Sequence, residues 1–241
     1  MNVSEKIQKK IQKISEDTSF GYEQLNITQN EFQAATKVIE RLLKKSVIKK
    51  LSKGIFYKPK KTVFGELKPS NEDLLQQYLF ENGKRIAYIT GTALYNRLGL
   101  TTQMAFTYQI ASRKKRIYIN TGAIKAKPVK SYAEVSNGNY QLLGFLDAIK
   151  DIKKIPDTST DDIVIALRSK ISRFKESELK NLVTYSLLYP ARTRALLGAI
   201  LEDLKKDSLL PSLKKSLNPL TKYKIGISSN ILSTSLNWNI V

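Results

Sequence analysis

The sequence predicts an α+β protein in which a short helical and hairpin module precedes a larger mixed region. Three observations carry that expectation. Apolar residues recur at helical spacing up to about residue 45, β-branched or alternating runs occupy residues 86–129, and helical periodicity returns after about residue 140, with stops at Pro156, Pro190 and Pro211. At 241 residues and 41% hydrophobic content, the chain has apolar material for one large or two small cores.

Val3, Ile7, Ile11 and Ile14 form one apolar stripe on a first helix, with Lys6, Lys9, Lys10 and Lys13 on its solvated side. A turn at Ser19-Phe20-Gly21 leads into a short apolar segment, Tyr22 to Leu25. Thr28-Gln29-Asn30-Glu31 has capping-box spacing and starts a long helix from about Gln29 to Lys45. Phe32, Ala35, Ile39, Leu42 and Leu43 fall on one side of it. Gln29, Gln33, Thr36, Lys37, Glu40, Arg41 and Lys44 fall on the other. Val47 to Leu51 and Ile55 to Tyr57 read as two short strands joined by the basic turn Ser52-Lys53-Gly54 and ended at Pro59. Helix, short helix, long helix and basic hairpin is the order of a winged helix-turn-helix, expected over residues 1–66. A helix with a polar outer face fits the major groove while a basic hairpin grips flanking phosphates, and residues 1–70 carry +8.

Prolines 59 and 69 mark a boundary, and residues 67–241 are expected to form a second, α+β domain. Asn71 to Glu81 reads as a helix, Ile86 to Ile89 as a strand, and Ala93 to Leu98 as a short helix stopped by Gly99. Thr107 to Ala111, Ile117 to Asn120 and Ile124 to Val129 suggest a small antiparallel sheet, with Phe106, Tyr108, Tyr118, Tyr88 and Tyr95 filling its core. C-terminal helices follow at 142–152, 161–171, 176–189 and 192–206. The uncharged tail ends in Leu236 to Ile240, which alternates like a strand.

Lys and Arg number 41 against 21 Asp and Glu, a net +20 that selects for polyanionic partners. The absence of Cys and His removes disulfides, thiol nucleophiles, imidazole bases and thiolate or imidazole zinc sites. Thr90-Gly91 and Leu98-Gly99-Leu100 lack the Gly-Lys-Ser or Gly-Lys-Thr ending of a phosphate loop. No cofactor, metal site or catalytic residue is expected. The opening MNVSEKIQKK has no apolar core and no stretch reaches ~20 apolar residues, so the expected location is cytoplasmic, without a membrane partner.

For double-stranded DNA, the face formed by Gln33, Thr36, Lys37 and Arg41 is expected in the major groove, with Lys44, Lys49, Lys50 and Lys53 on phosphates. The run Arg113-Lys114-Lys115-Arg116 packs four cations together. It suits a phosphate, an acidic partner surface or a solvated turn. A different class, a metal-dependent nuclease, rests on Asp157, Glu178 and Lys180 at the spacing of a PD, then ExK, site. Against it, such sites place Glu and Lys on a strand, and residues 176–189 have helical periodicity.

Thr62-Val63-Phe64-Gly65-Glu66-Leu67-Lys68-Pro69-Ser70, Tyr88-Ile89-Thr90-Gly91-Thr92-Ala93-Leu94-Tyr95-Asn96-Arg97-Leu98-Gly99-Leu100-Thr101-Thr102-Gln103 and Gly54-Ile55-Phe56-Tyr57 carry a resemblance. Over roughly residues 1–130 the chain resembles the AbiEi-like antitoxins of bacterial type IV toxin-antitoxin systems. The resemblance implies an N-terminal winged helix that binds and represses its own promoter, and a C-terminal domain that counteracts a nucleotidyltransferase-like toxin in phage defence. It implies a genetic link to that toxin without requiring a stable complex. A transcriptional regulator with no toxin is the third reading, distinguished by the neighbouring gene.

Overall fold

The computed structural model describes every residue except Met1, Asp17, Lys53, Phe64, Lys68, Pro69, Gly122 and Ala123. The chain is mixed α+β and divides into two compact units, one of residues 1–84 with 121–124, the other of residues 85–120 with 125–241. Among the described residues no helix is long and apolar enough to cross a membrane.

In the first unit, α1 (Val3–Lys13) precedes β1 (Ser19–Gly21), a 3-10 turn at Glu23–Leu25 and a second at Gln29–Glu31 that runs into α2 (Phe32–Lys44). Strands β2 (Lys49–Ser52) and β3 (Ile55–Tyr57) follow, and the sheet order is β1-β3-β2, antiparallel throughout. Ser19-Phe20-Gly21, expected as a turn, is thus a strand. The reason is Phe20, which is fully buried and packs its ring 6.0 Å from Phe56 across the β1–β3 pair. Ile7 and Ile11 of α1 meet Ala35, Val38, Ile39 and Leu42 of α2 in one core with Leu25 and Ile48.

The segment expected to mark the domain boundary belongs to the first unit. It holds the antiparallel hairpin of β4 (Lys60–Thr62) and β5 (Gly65–Leu67), and then α3 (Asn71–Leu79). Ser19 Oγ on β1 donates to the Asp73 carbonyl of α3 at 2.8 Å, and Leu75 and Leu79 are buried. The helix ends before Phe80. There β6 (Phe80–Glu81) pairs with β7 (Lys84–Arg85) across Asn82 and Gly83, whose φ angles of 50° and 74° suit a primed two-residue turn.

Glu31 clamps the first unit. Its carboxylate accepts from Lys6 Nζ of α1 at 2.8 and 2.9 Å, and from the Thr28 amide and hydroxyl at 3.0 and 2.9 Å.

The second unit contains a four-stranded sheet in the order β10-β11-β9-β8, from β8 (Ala87–Thr90), β9 (Tyr108–Ser112), β10 (Ile119–Thr121) and β11 (Ile124–Lys130), with α4 (Thr92–Arg97) between β8 and β9. β8 and β9 are antiparallel, whereas β9 and β11, expected to be antiparallel, are parallel, so the sheet is mixed. The helices are α5 (Tyr140–Lys150), α6 (Thr160–Ile171), α7 (Glu176–Ser186), α8 (Ala191–Asp203) and α9 (Leu210–Lys215). Leu142 to Ile149 of α5 are all buried, as are Ala195 to Leu201 of α8, so these two helices form the centre and α7 packs on both. Pro211, read as a stop, instead sits in the first turn of α9, where its missing N–H would have no helical partner anyway.

The tail departs from the expected strand. Ser233–Trp238 is a 3-10 helix, because the Trp238 ring seats on α8 where Gly198 leaves room: a Cβ at 198 would lie 2.2 Å from the ring. Trp238 Nε1 donates to Glu202, and Thr234 Oγ1 donates to the Ala199 carbonyl at 2.7 Å.

Two outcomes follow from this packing. Gly198→Ala should destabilise the protein by about 2 kcal/mol through overpacking, and the penalty should shrink in a Trp238→Leu background, as read by urea unfolding of the four variants. The second concerns Glu31, which the Lys6 hydrogen bond, helped by Thr28, holds down at about 2 instead of 4.5. A depressed carboxylate adds stability above its unfolded value and loses it as pH falls through the folded one. The stability advantage of the wild type over Glu31→Gln should therefore be constant above pH 4.5 and vanish towards pH 2, as followed in pH-dependent melts.

Candidate nucleic-acid interface

The core contacts of α2 set which side chains face outward. Ala35, Val38, Ile39 and Leu42 are buried, so the opposite face is fixed in solvent. Gln33, Lys37 and Arg41 are exposed one helical turn apart, Lys44 follows at the C-terminal end, and Glu40 shares the surface. Arg41 Nε donates to the Lys37 carbonyl at 3.3 Å. Thr36 differs from its neighbours: it is half-buried, and its hydroxyl donates back to the Phe32 carbonyl at 2.9 Å. Phe32, expected in the core, is 49% exposed with its ring 5.1 Å from Tyr22. Val38 takes the inward place that the sequence pattern left to Leu43.

Beside α2 in the chain, β2 carries Lys49 and Lys50. Lys50 is exposed, whereas the Lys49 ammonium is paired with Glu66 of β5, a hydrogen bond that raises its pKa. Lys53 lies outside the described residues. The first unit thus brings Gln33, Lys37, Arg41 and Lys44 onto one helix face and leaves Thr36 and Lys49 engaged elsewhere.

In the second unit, Arg113, Lys114, Lys115 and Arg116 are exposed on the loop from β9 to β10. The loop is anchored by Ser112, which is buried. Its hydroxyl donates to the Ile86 carbonyl at 2.7 Å and accepts from the amides of Lys114 and Lys115 at 3.2 and 3.4 Å. Arg113 Nη1 donates to the Tyr132 carbonyl at 2.8 Å, and Glu134 lies 3.7 Å from its Nε. Residues 112–116, Tyr118 and residues 128–130 line a groove of about 520 Å³. Tyr118 and Phe106 do not fill the sheet core: they are 71% and 97% exposed. Ile117 and Ile119 point inward on either side of Tyr118, so alternation turns the tyrosine out.

A polar cluster that the sequence reading missed lies inside the second unit. Asp147 on α5 is 2% exposed, and its carboxylate accepts from Tyr88 Oη at 2.9 Å, Thr90 Oγ1 at 2.8 Å and Tyr189 Oη at 3.2 Å. Lys150 Nζ lies 3.4 Å from it, and Tyr95 Oη donates to Asp151 at 2.8 Å. Tyr88 and Tyr95 are in the core as expected, but their hydroxyls serve two carboxylates. The signals were Tyr88 and Thr90 two apart on a strand, and Asp147 and Asp151 four apart on a helix.

The nuclease candidates are differently placed. Asp157 is exposed on a turn at φ 57°. Glu178 lies in the first turn of α7 and accepts from the Lys175 amide at 2.8 Å, while Lys180 pairs with Glu176 at 2.9 Å. Among the described residues no group of three or more acidic side chains could hold a metal ion.

Burial raises the Asp147 carboxyl above its ordinary 3.8, against the pull of Lys150 and the hydroxyl donors. A carboxyl with a raised folded value stabilises the fold below the unfolded value, and that contribution is lost as pH rises through the folded one. The stability of the wild type relative to Asp147→Asn should therefore fall as pH is raised from 3.8 upward, as measured by paired urea titrations. A difference that grows with pH would contradict this.

Comparison with curated proteins returns no match. A model of a family of unknown function, DUF6088, matches residues 6–178, which takes in the α2 face, the basic loop and Tyr88, Thr90 and Asp147 of the polar cluster but not Tyr189. Covering well over half of the sequence, that match makes the chain a member of the DUF6088 family.

Proposed function

We propose that the protein is a DNA-binding antitoxin and autorepressor of a type IV toxin-antitoxin system, acting in the cytoplasm. Its first unit works as a winged helix on the promoter of its own operon. Its second unit counteracts a nucleotidyltransferase-like toxin. The observation that carries the DNA-binding half is the outward face of α2, where Gln33, Lys37, Arg41 and Lys44 stand on a helix whose other side is locked in the core. Gln and Arg side chains can make bidentate contacts with base edges, and Lys supplies phosphate contacts.

The element order supports the same reading. Helix, strand, short turn, α2 and the β2–β3 hairpin is the arrangement in which a second helix enters the major groove and a hairpin flanks it. The antitoxin half rests on the resemblance of residues 62–70 and 88–103 to AbiEi-like antitoxins, and on the convergence of Tyr88, Thr90 and Tyr95 from that stretch upon α5.

Gel shifts with the DNA directly upstream of the gene test the first half. Lys37→Glu/Arg41→Glu should abolish specific retention without changing the thermal melt. With about six phosphates neutralised, wild-type affinity should fall by a factor on the order of 10³ between 50 and 200 mM salt. Equal binding to every duplex would overturn operator recognition. The second half is read by co-expression with the neighbouring gene. The same double variant should still suppress toxicity while releasing the promoter, and a neighbour that encodes no nucleotidyltransferase would leave a regulator without a toxin.

A further inference from the structure

In the second unit, residues at the end of α9 and in the tail line a cavity of about 420 Å³, within the size range of small-molecule sites. Hydrogen bonds fix its walls. The Tyr223 amide donates to the Asn239 carbonyl at 2.7 Å and the Val241 amide to the Tyr223 carbonyl at 3.0 Å, so the tail runs beside the segment that follows α9. Asn239 Nδ2 donates to the Pro219 carbonyl at 2.7 Å and Asn237 Nδ2 to Glu202 at 3.1 Å, on either side of the Trp238 ring seated on α8. One lining residue is left out of balance. Tyr223 is 7% exposed, and among the described residues its buried hydroxyl has no hydrogen-bond partner. A hydroxyl in that state costs the folded chain free energy, and a ligand oxygen would relieve the cost.

The geometry points to a site for a small sugar phosphate, with the phosphate on the lysines and the sugar hydroxyls on the asparagines. Lys215 is exposed and makes no ion pair among the described residues. Lys214 beside it is held 4.0 Å from Glu202 and 5.3 Å from the centre of the Trp238 ring. Asn218 accepts from the Leu220 amide at 2.9 Å through Oδ1, which leaves its Nδ2 to donate. Lys214, Lys215, Asn218 and the Tyr223 hydroxyl are therefore donors around one cavity, and no Asp or Glu is among its described lining residues. Four donors exceed what the two oxygens of a carboxylate take up and suit the three terminal oxygens of a phosphate monoester. A phosphodiester, with two such oxygens and chain on both sides, fits less well. The amide nitrogens of Asn237 and Asn239 are committed to the protein, so their Oδ1 atoms remain as acceptors, which is what hydroxyl groups require.

Isothermal titration calorimetry of the full chain compares ribose 5-phosphate, inorganic phosphate and ribose. Ribose 5-phosphate should bind most tightly, inorganic phosphate more weakly and ribose not at all. Lys215→Gln should weaken ribose 5-phosphate by on the order of tenfold, and Tyr223→Phe by about fivefold. Tyr223→Phe gives a second readout that a purely structural hydroxyl would not: the ligand-free variant should melt no lower than the wild type, because no hydrogen bond is lost. Lys37→Glu/Arg41→Glu should leave the affinity unchanged, which separates this site from the α2 face. The proposal is overturned if ribose 5-phosphate does not bind, if inorganic phosphate or oligothymidylate binds as tightly in competition with it, if Lys215→Gln leaves its affinity unchanged, or if Tyr223→Phe lowers the melting temperature of the ligand-free chain.

Discussion

Glu31 joins α1 to the start of α2, and the orientation of everything the first unit presents outward depends on that junction. Its carboxylate closes the first turn of the α2 segment on Thr28 and reaches Lys6 on α1, so the two helices are joined at the end where the outward face of α2 begins. The apolar side of α2 does the rest. With Ala35, Val38, Ile39 and Leu42 buried, the helix cannot turn about its axis without exposing them, at roughly 1.5–3 kcal/mol for each larger side chain. A helix so fixed can offer Gln33, Lys37 and Arg41 to a rigid groove with little ordering left to do on binding. This is why side chains that are individually ordinary surface residues become a candidate reading head.

The second unit solves a different problem. α5 is buried along most of its length yet carries Asp147, an ionisable group that needs donors in a low-dielectric interior. Tyr88, Thr90 and Tyr189 supply them from the sheet and from the chain just before α8, so one carboxylate ties together elements far apart in sequence. Away from that core, the β9–β10 loop carries its cations on a scaffold of backbone hydrogen bonds to Ser112. One unit therefore displays charge on a helix and the other on a loop and strand, and the two surfaces differ in whether an aromatic ring accompanies the charge.

Local signals in the sequence specify most elements. The stripe at Val3, Ile7 and Ile11, the Thr28 to Glu31 capping box and the Ser52–Gly54 turn lead to α1, α2 and the β2–β3 pair, because capping and periodicity act within a few residues. Asn82-Gly83 was equally legible as a hairpin turn, but the apolar run before it reads as continuous helix and masks the strand at Phe80. What could not be read was decided by distant partners. The alternation of Leu236 to Ile240 imitates a strand, and only the space above Gly198 turns it into a 3-10 helix. The parallel β9–β11 pairing and the Asp147 donors likewise depend on segments brought together by the whole fold. For the candidate site, the exposed face of α2 followed from periodicity, while the engagement of Lys49 by Glu66 and of Thr36 by its own helix did not.

The central claim is that the outward face of α2 lies against duplex DNA, and the absence of cysteine in the chain permits a direct measurement. Ala34 is exposed on that face between Gln33 and Lys37, and Lys9 is exposed on α1. Single Ala34→Cys and Lys9→Cys variants, each carrying a photoactivatable crosslinker, would be irradiated with the upstream DNA. The account requires crosslinks from position 34 to that DNA and none from position 9. Equal crosslinking from both positions, or none from position 34 while the DNA is bound, would contradict it.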